Sequence, residues 1–522
     1  MITRVISRPI AVTLAGLARP SLWVRALLLC VCASAASARL SFSQCPDGTP
    51  PPCGPRVTSA PNSVAVLYFD NLSRDTSDAY LADGMTEELI SRLSQVERLQ
   101  VKSRTAVRRL RGRPLEEPAQ LGRRLAVAHL VSGSVLRAGR RVRVTVELMR
   151  AATGVSVWAR TFDRADGDLI AVESEIAESV AVAVSGRLAP AERRGLEARP
   201  TASAAAYDHY LRGNFELARR TTAGILRAIG EYAIATRLDP RFVKPLVAAA
   251  QGYAMVAGPY AGPEVAAPRD TLRARAQTLL DRALRLDSTS AEAWLARAAG
   301  EARDAQQLDA LLHAVRLDPR NAEAHHLYGL FLRTGGDDST AAAQFRLALA
   351  LESDRPITLL NLGQLFAVGR QYAEARRWID SAVALRPEAA FYYLEQAMNR
   401  LQLGDTAGAH AAADLIAGHG NPNGREEVLA MIEARAGDSA AARVRMARVD
   451  SAMAAADCFV SHACLELSWA LAAAGLRGRA LAVYERLAPR SDWLVYWSRR
   501  AEFDVIRDEP RFRRVVQGAS HQ

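Results

Sequence analysis

Lysine is nearly absent from this chain: of its 67 basic residues only Lys102 and Lys244 are lysines, and the rest are arginines. Aromatic residues are also scarce, at 6%, and alanine runs recur throughout, a composition that suits thin, closely packed helices. No long apolar stretch is available to cross a bilayer, because the most apolar run, Ala26–Ala33, falls well short of the ~20 residues a helix needs. Enzyme signatures are missing too: there is no H-E-x-x-H, no G-x-S-x-G, no phosphate loop and no kinase set. Gly418-His-Gly-Asn-Pro-Asn-Gly424 only echoes a dinucleotide fingerprint; its last spacing is one residue too long and no strand precedes it. No cofactor or metal is expected.

What is present is a 522-residue chain of ordinary globular composition, 49% hydrophobic and 24% charged, with a formal net charge of +11. That length fits several domains, or one domain and a repeat array. The arginines are mostly dispersed among Asp and Glu, as on a solvated surface. Arg104, Arg108, Arg109, Arg111 and Arg113 cluster, with Arg123 and Arg124 close behind, and such a patch suits nucleic acid or anionic lipid.

The first 38 residues read as an export segment. Arg4, Arg8, Arg19 and Arg25 precede the apolar run, and Ala36-Ser37-Ala38 follows it, as in a signal peptide. Cleavage after Ala38 and, if the upstream Ile10–Leu17 stretch contributes, retention as an anchor both remain open. Residues 39–62 form a proline-rich linker in which Cys45 and Cys53 bracket a short stiff loop, a candidate disulfide of an oxidising compartment. Cys458 and Cys464 form a second local pair with His462 between them. Three ligands without a fourth make a poor zinc site, so a disulfide or two buried thiols is expected.

Residues 63–188 pattern as an α/β module. Ser63–Phe69 is a continuous apolar run, read as a buried strand, and Asn71 and Ser73 shape the turn after it. Leu81, Met85, Leu89 and Leu93 mark one helix face. Asp83, Glu87 and Glu88 on that helix are a carboxylate cluster, read as a wet face without a base or nucleophile beside it. A short strand is expected at 99–102, a helix at 116–127 opened by Pro118, strands at 130–136, 142–148 and 155–162, and a last helix at 168–188. The sum is a mixed sheet of about five strands with three helices.

These motifs carry a resemblance. Val64-Ala-Val-Leu-Tyr-Phe-Asp-Asn-Leu-Ser-Arg-Asp75, Tyr80-Leu-Ala-Asp-Gly-Met-Thr-Glu-Glu-Leu-Ile90, Val131-Ser-Gly-Ser-Val135, Ala151-Ala-Thr-Gly-Val-Ser-Val-Trp158 and the Asp163/Asp168 region resemble the TolB-like amino-terminal domain, which is related to FlgO-type domains. In similar proteins this domain sits beside tetratricopeptide repeats and often follows a DNA-binding, cyclase or kinase domain. Here only the export-like segment precedes it, so the resemblance implies neither output.

Residues 205–490 repeat. Leu238-Asp-Pro, Leu286-Asp-Ser, Leu317-Asp-Pro, Leu351-Glu-Ser and Leu385-Arg-Pro recur as helix terminators, the last three 34 residues apart. Gly329 and Gly363, Ala341 and Ala375, and Phe345 and Ile379 keep the same step. A 34-residue helix–turn–helix unit with these small residues, and with Trp294 at its own place in the pattern, resembles the tetratricopeptide repeat. About eight units are expected, stacked so that neighbours bury each other's apolar faces, with Phe345 and Ile379 wedged into the next unit. Gly335-Gly-Asp-Asp338 reads as a turn between paired helices rather than a calcium loop.

His326, Arg333 and Gln364 fall on first helices and are groove candidates, against the plainer reading of a wet surface. Residues 491–522 read as capping helices, the last one opened by Pro510. The expected function is a non-catalytic exported scaffold of the periplasm or cell envelope that binds a protein or peptide partner. Attachment to the inner membrane through the first segment is compatible with it. The alternative is a membrane-tethered or cytoplasmic regulator touching nucleic acid or anionic lipid through Arg104–Arg124. An enzyme would need an unrecognised site within 63–188.

Overall fold

The computed structural model describes residues 59–112, 116–258, 262, 264–300, 305–453, 463–487 and 494–520. The export segment 1–38, Cys45, Cys53, Arg113, Cys458 and His462 lie outside the described residues. Cys464 stands in a disulfide.

The amino-terminal module is a mixed sheet built from β1 (Ser63–Val66), β2 (Asp70–Asn71), β3 (Gln100–Val101), β4 (His129–Ala138), β5 (Arg141–Arg150) and β6 (Ser156–Ala165). The order is β3-β1-β4-β5-β6, with β2 also on β4. β1 runs parallel to β3 and β4, while β4, β5 and β6 form an antiparallel meander. The apolar run at 63–69 is thus divided: β1 ends at Val66, and Leu67 and Leu72 donate backbone bonds back to β4. Asn71 accepts from the Ser73 amide at 3.0 Å, which closes the turn the sequence placed there. Gly133 in β4 is dictated by contact: a Cβ there would stand 2.6 Å from the Thr145 carbonyl and 2.9 Å from the Phe69 ring.

In β5 the alternation is strict, with Val142, Val144, Val146 and Leu148 buried and Arg141, Arg143 and Thr145 exposed. β6 pairs with β5 alone among the described strands, and its Val157 and Ala159, with Val155 just before it, lie open to solvent.

The helices of this module are α1 (Ala79–Ser94), α2 (Arg104–Arg108), α3 (Pro118–Leu125), α4 (Leu169–Ser185) and α5 (Pro190–Glu197). Three were expected; α2 and α5 are additional short ones. α1 buries Leu81, Met85, Leu89 and Leu93 as the spacing predicts, but it also buries Asp83 and Glu88. The wet-face reading of that carboxylate cluster is therefore corrected, and the reason is tertiary: a helix more than 100 residues later covers the second side of α1.

That helix, α6 (Ala204–Ala218), opens an array of eight antiparallel pairs among the described residues. It pairs with α7 (Thr222–Leu238). The following pairs are α8 (Val243–Val256) with α9 (Arg269–Leu286), α10 (Ala291–Gly300) with α11 (Ala305–Leu317), and α12 (Ala322–Thr334) with α13 (Asp338–Leu351). Then come α14 (Pro356–Val368) with α15 (Tyr372–Leu385), α16 (Ala390–Gln402) with α17 (Thr406–Gly418), α18 (Pro422–Arg435) with α19 (Ser439–Ala452), and α20 (Ala463–Ala473) with α21 (Arg477–Leu487). The whole is an α/β module followed by an all-α tetratricopeptide-type solenoid.

Each of the five leucine terminators ends its helix, and after Leu238, Leu286, Leu351 and Leu385 the next residue leaves helical geometry. Inside a pair, small residues admit the partner. A Cβ on Gly329 would meet the Phe345 ring at 2.7 Å, and one on Gly363 would meet Ile379 at 2.6 Å. Phe345 and Ile379 thus fill notches on their own paired helix and also stand in the core that runs on into the following pairs. Ala341 and Ala375 are fully buried at the same crossings. Trp294 stacks on the His313 ring at 4.2 Å and donates to the Ser288 carbonyl. The turns are capped by side chains: Asp337 accepts from the Thr340 amide and Asn421 from the Gly424 amide, so both glycine-rich segments are interhelical turns.

Module and array share one core, in which Tyr207 and Leu211 of α6 and Phe242 join the apolar side chains of the sheet and α1. The array also returns to the module further on. Arg320, in the turn before α12, donates to the backbone carbonyls of Val96, Glu97 and Leu99. No described helix is long and apolar enough to cross a membrane.

Candidate functional site

The first helices of the later pairs line a groove, and the chain's own carboxy-terminal segment lies in it. α22 (Leu494–Trp497) and a turn at Ala501–Phe503 precede the last helix, α23 (Pro510–Ser520). α23 caps the array, its Phe512 stacked on Tyr484 of α21 at 4.9 Å. The residues before it run inward. Tyr496 and Trp497 are buried, and the Arg333 guanidinium of α12 sits 4.5 Å above the Tyr496 ring.

The inner helices carry a polar ladder that this segment completes. Arg333 donates to Asn361 Oδ1 at 2.6 Å and to Gln364 Oε1 at 3.2 Å on α14. Gln364 Nε2 in turn donates to Glu395 Oε1 on α16 at 2.8 Å. Arg500 enters from the tail, donating to Glu395 Oε2 at 2.9 Å and to Glu502 Oε2 at 3.1 Å. Its guanidinium also lies 4.4 Å over the Trp469 ring of α20, where a desolvated cation–π contact adds to the ion pair. At the rim, Arg499 pairs with Asp338 of α13, and Arg370 donates to the Arg499 carbonyl and to Asp504.

Arg370 also stands in a left-handed backbone conformation, φ 62°, at the turn position where Gly336 and Gly404 stand one repeat before and after. A non-glycine residue there costs energy, and at this turn its side chain reaches the tail.

Burial shifts the charges of the groove. Glu466 of α20 is pushed up to about 7 by burial, with Glu395 adding repulsion and Arg500 opposing it. Glu427 of α18 is driven well above the usual carboxylate range by burial and by Glu466. His326 is buried and pushed down to about 4; its Nδ1 lies 3.0 Å from Thr358 Oγ1. Burial depresses Arg500, but Glu395 and Glu502 more than offset that and hold it above the ordinary arginine value.

The three groove candidates His326, Arg333 and Gln364 are therefore brought together on this face, yet none is a wet surface residue. All three are buried, Arg333 directly beneath the tail. Sequence reasoning missed Tyr496, Trp497, Arg499 and Arg500. The available signal was two adjacent aromatic residues and two arginines outside the repeat pattern in a chain poor in aromatics.

A second polar cluster welds module to array. Lys244 Nζ lies 2.7 and 2.8 Å from the two Glu88 oxygens, Arg92 pairs with Glu88, and Tyr207 donates to Glu173 Oε2 at 2.5 Å. Glu173 is fully buried and raised by burial and by Glu88, against Arg92.

Four arginines of the cluster are spent on similar bonds. Arg104 pairs with Glu87 at 3.2 Å and Arg111 with Asp83 at 2.5 Å. Arg108 donates to the Ala218 carbonyl and Arg109 to the Leu385 carbonyl. Asp83 is pushed up to about 6 by burial, which Arg111 opposes. Among the described residues no group of three or more His, Cys, Asp or Glu side chains is placed to hold a metal ion.

Residues 60–179, the α/β module, match the family model described as the second domain of the HilA/YgeH-like transcriptional regulators. A Rhizobium meliloti (strain 1021) protein provisionally named adenylate cyclase 3 is 34% identical over 158 residues, which are 30% of this chain and 27% of that protein. The chain thus spans little more than a quarter of that relative's length. Among solved structures, the type IV pilus biogenesis factor PilW is 20% identical, with a TM-score of 0.34, over 40% of this chain and 95% of its own. A tetratricopeptide-repeat protein of Thermus thermophilus is 19% identical, with a TM-score of 0.31, over 38% of this chain and 100% of its own. The helix pairs here are recognised by their own 34-residue step and packing rather than by these partial overlaps.

Proposed function

We propose that the chain is a non-catalytic scaffold of the cell envelope that holds protein partners through the groove of its helix-pair array and through its α/β module. The observation that carries this reading is the grip on residues 494–504. A run of chain is held along the first helices of several pairs by guanidinium–ring contacts, charge-assisted bonds and one backbone carbonyl contact. The same chemistry serves peptide recognition in such arrays. The module, TolB-like by its motifs, offers the open edge of β6, a ready template for strand addition.

The carboxylates of α1 support a structural rather than catalytic role, since Asp83, Glu87 and Glu88 are all engaged by Arg111, Arg104 and Lys244. Export rests on the Arg4–Ala38 pattern and on Cys45 and Cys53. A carboxy-terminal reporter with amino-terminal sequencing, combined with photo-crosslinkers at Val157 and Val505 in cells, tests the reading. An envelope location with protein crosslinks at either position is expected. A cytoplasmic chain, or a folded chain crosslinked at neither, would overturn it.

The family model favours a second reading, in which the module belongs to a regulator. Contact with nucleic acid through Arg104–Arg124 is then the natural route, but Arg104, Arg108, Arg109 and Arg111 are already engaged within the chain. DNA or anionic-lipid binding that weakens steeply with salt would revive it.

A further inference from the structure

Three successive inner helices each present a buried carboxylate to the groove: Glu395 on α16, Glu427 on α18 and Glu466 on α20. The tail supplies one cation to this row, Arg500, and brings a carboxylate of its own, Glu502, which takes up part of that cation. Neither Glu427 nor Glu466 forms an ion pair among the described residues. Nearby polar atoms are likewise left without a hydrogen-bond partner. They are both amide atoms of Asn399 on α16, Glu427 Oε2, and the Trp469 indole nitrogen on α20, all on residues at least nine-tenths buried. The tail matches the apolar and aromatic features of the groove but leaves these acids and the Asn399 amide without partners. Leaving buried polar groups unmatched is costly and uncommon in a purely structural contact.

The tail also leaves space. A cavity of about 260 Å³ lies beside it, floored by Met398, Leu401 and Met431 and bordered by Gln402, Glu502 and Val505.

We propose that the inner groove of pairs α14–α21 is a docking site for an extended, basic segment of a partner protein that presents an aromatic side chain three residues ahead of an arginine, and that residues 494–504 occupy it as an internal competitor. Trp497 and Arg500 show the spacing the groove accepts. A second cation, where the tail carries Glu502, would pair with the acids that Arg500 does not, releasing their protons to solvent. Asn399 and Trp469 would supply a donor and acceptor set to the incoming backbone or side chains. The inference rests on the scaffold reading and adds the partner's chemistry and the means by which access is controlled.

The test uses the full-length chain and two fluorescent peptides. One copies residues 494–507, and the other is the same peptide with Glu502→Lys. Anisotropy is read on the wild-type chain and on two tail-release variants, Arg500→Glu and the milder Arg499→Ala/Trp497→Ala, whose folding is checked by circular dichroism and melting. Binding to a release variant at least tenfold tighter than to wild type is expected. The Glu502→Lys peptide should bind tighter than the copy, an advantage that Glu427→Gln/Glu466→Gln in the release background abolishes.

Equal binding to wild-type and released chains would overturn the proposal, as would no binding to a folded released chain, or a Lys peptide no tighter than the copy. So would a wild-type dimer crosslinked from Trp497 of one copy into the groove of the other, since a second copy would then be the occupant. Peptide binding is read without any cellular partner. Failure here with crosslinks retained at Val157 leaves the scaffold reading standing, whereas loss of cellular crosslinks with peptide binding intact removes only that reading.

Discussion

Arg500 and Glu395 stand 105 positions apart in the sequence and 2.9 Å apart in space, both buried. An ion pair this dry is poor evidence of net stability, but removing one partner strands the other charge. Arg500→Met is expected to cost about 3–5 kcal/mol in urea denaturation, and Arg500→Met/Glu395→Met to recover much of it. A double variant no better than Arg500→Met would show that the pair does not act as a unit.

The notch at Gly329 gives a second expectation. With the Phe345 ring 2.7 Å from where a Cβ would go, Gly329→Ala overpacks the crossing and is expected to lose about 1–3 kcal/mol. Adding Phe345→Leu should restore part of the loss in thermal melts. The same Ala substitution at Gly230, where a Cβ meets nothing within 4 Å, should not lower the melting temperature.

The acid–base behaviour of Glu466 has a definite sign. In the folded chain its carboxyl keeps its proton to about pH 7, whereas the unfolded chain releases it near the ordinary value of 4.5. Between those values the folded state binds more protons, so stability falls as pH rises through the window. Glu466→Gln should flatten that limb. The variant should melt higher than wild type at pH 8 and show little advantage at pH 4. An unchanged slope between pH 4.5 and 7 would remove Glu466 as its source.

Arg370 separates backbone cost from side-chain benefit. Arg370→Gly relieves a left-handed residue, a gain of up to about 1 kcal/mol in the turn, while deleting the bonds to Arg499 and Asp504. Hydrogen exchange should therefore quicken at 499–505 even where the melting temperature does not drop. Unaltered exchange there would mean that the tail is held without this clamp.

The shared core makes the module dependent on the array. A fragment 59–200 lacks Tyr207, Leu211 and Phe242 and exposes one side of α1, so it should aggregate or melt without cooperativity. A fragment 59–258 should be soluble and fold cooperatively by circular dichroism.

Local order was legible wherever neighbours in sequence are neighbours in space. The terminators at Leu238, Leu286, Leu317, Leu351 and Leu385 mark helix ends because the break is encoded in the next two residues. The alternation Val142-Arg-Val-Thr-Val146 displays its strand because the sheet has one wet side. Long-range cover was not legible. Asp83 and Glu88 on α1, and His326, Arg333 and Gln364 on the inner helices, have the polarity of surface residues. Glu88 is covered by Lys244 and Arg333 by Tyr496, and no periodicity announces a covering element more than 100 residues away. The 34-residue step from Phe345 to Ile379 is legible, whereas the notch that Phe345 fills, at Gly329, lies 16 residues back across its own pair and shows only in the packing.

Residues 494–504 are also the last part of the groove to be made. A ribosome completes α12 through α21 before Tyr496, Trp497 and Arg500 emerge, so Glu395 and Trp469 pass through a period of synthesis without their cover. A chain crossing a membrane amino-terminus first would arrive on the far side in the same order, groove ahead of plug. Timing alone would then give an outside segment its first opportunity to bind.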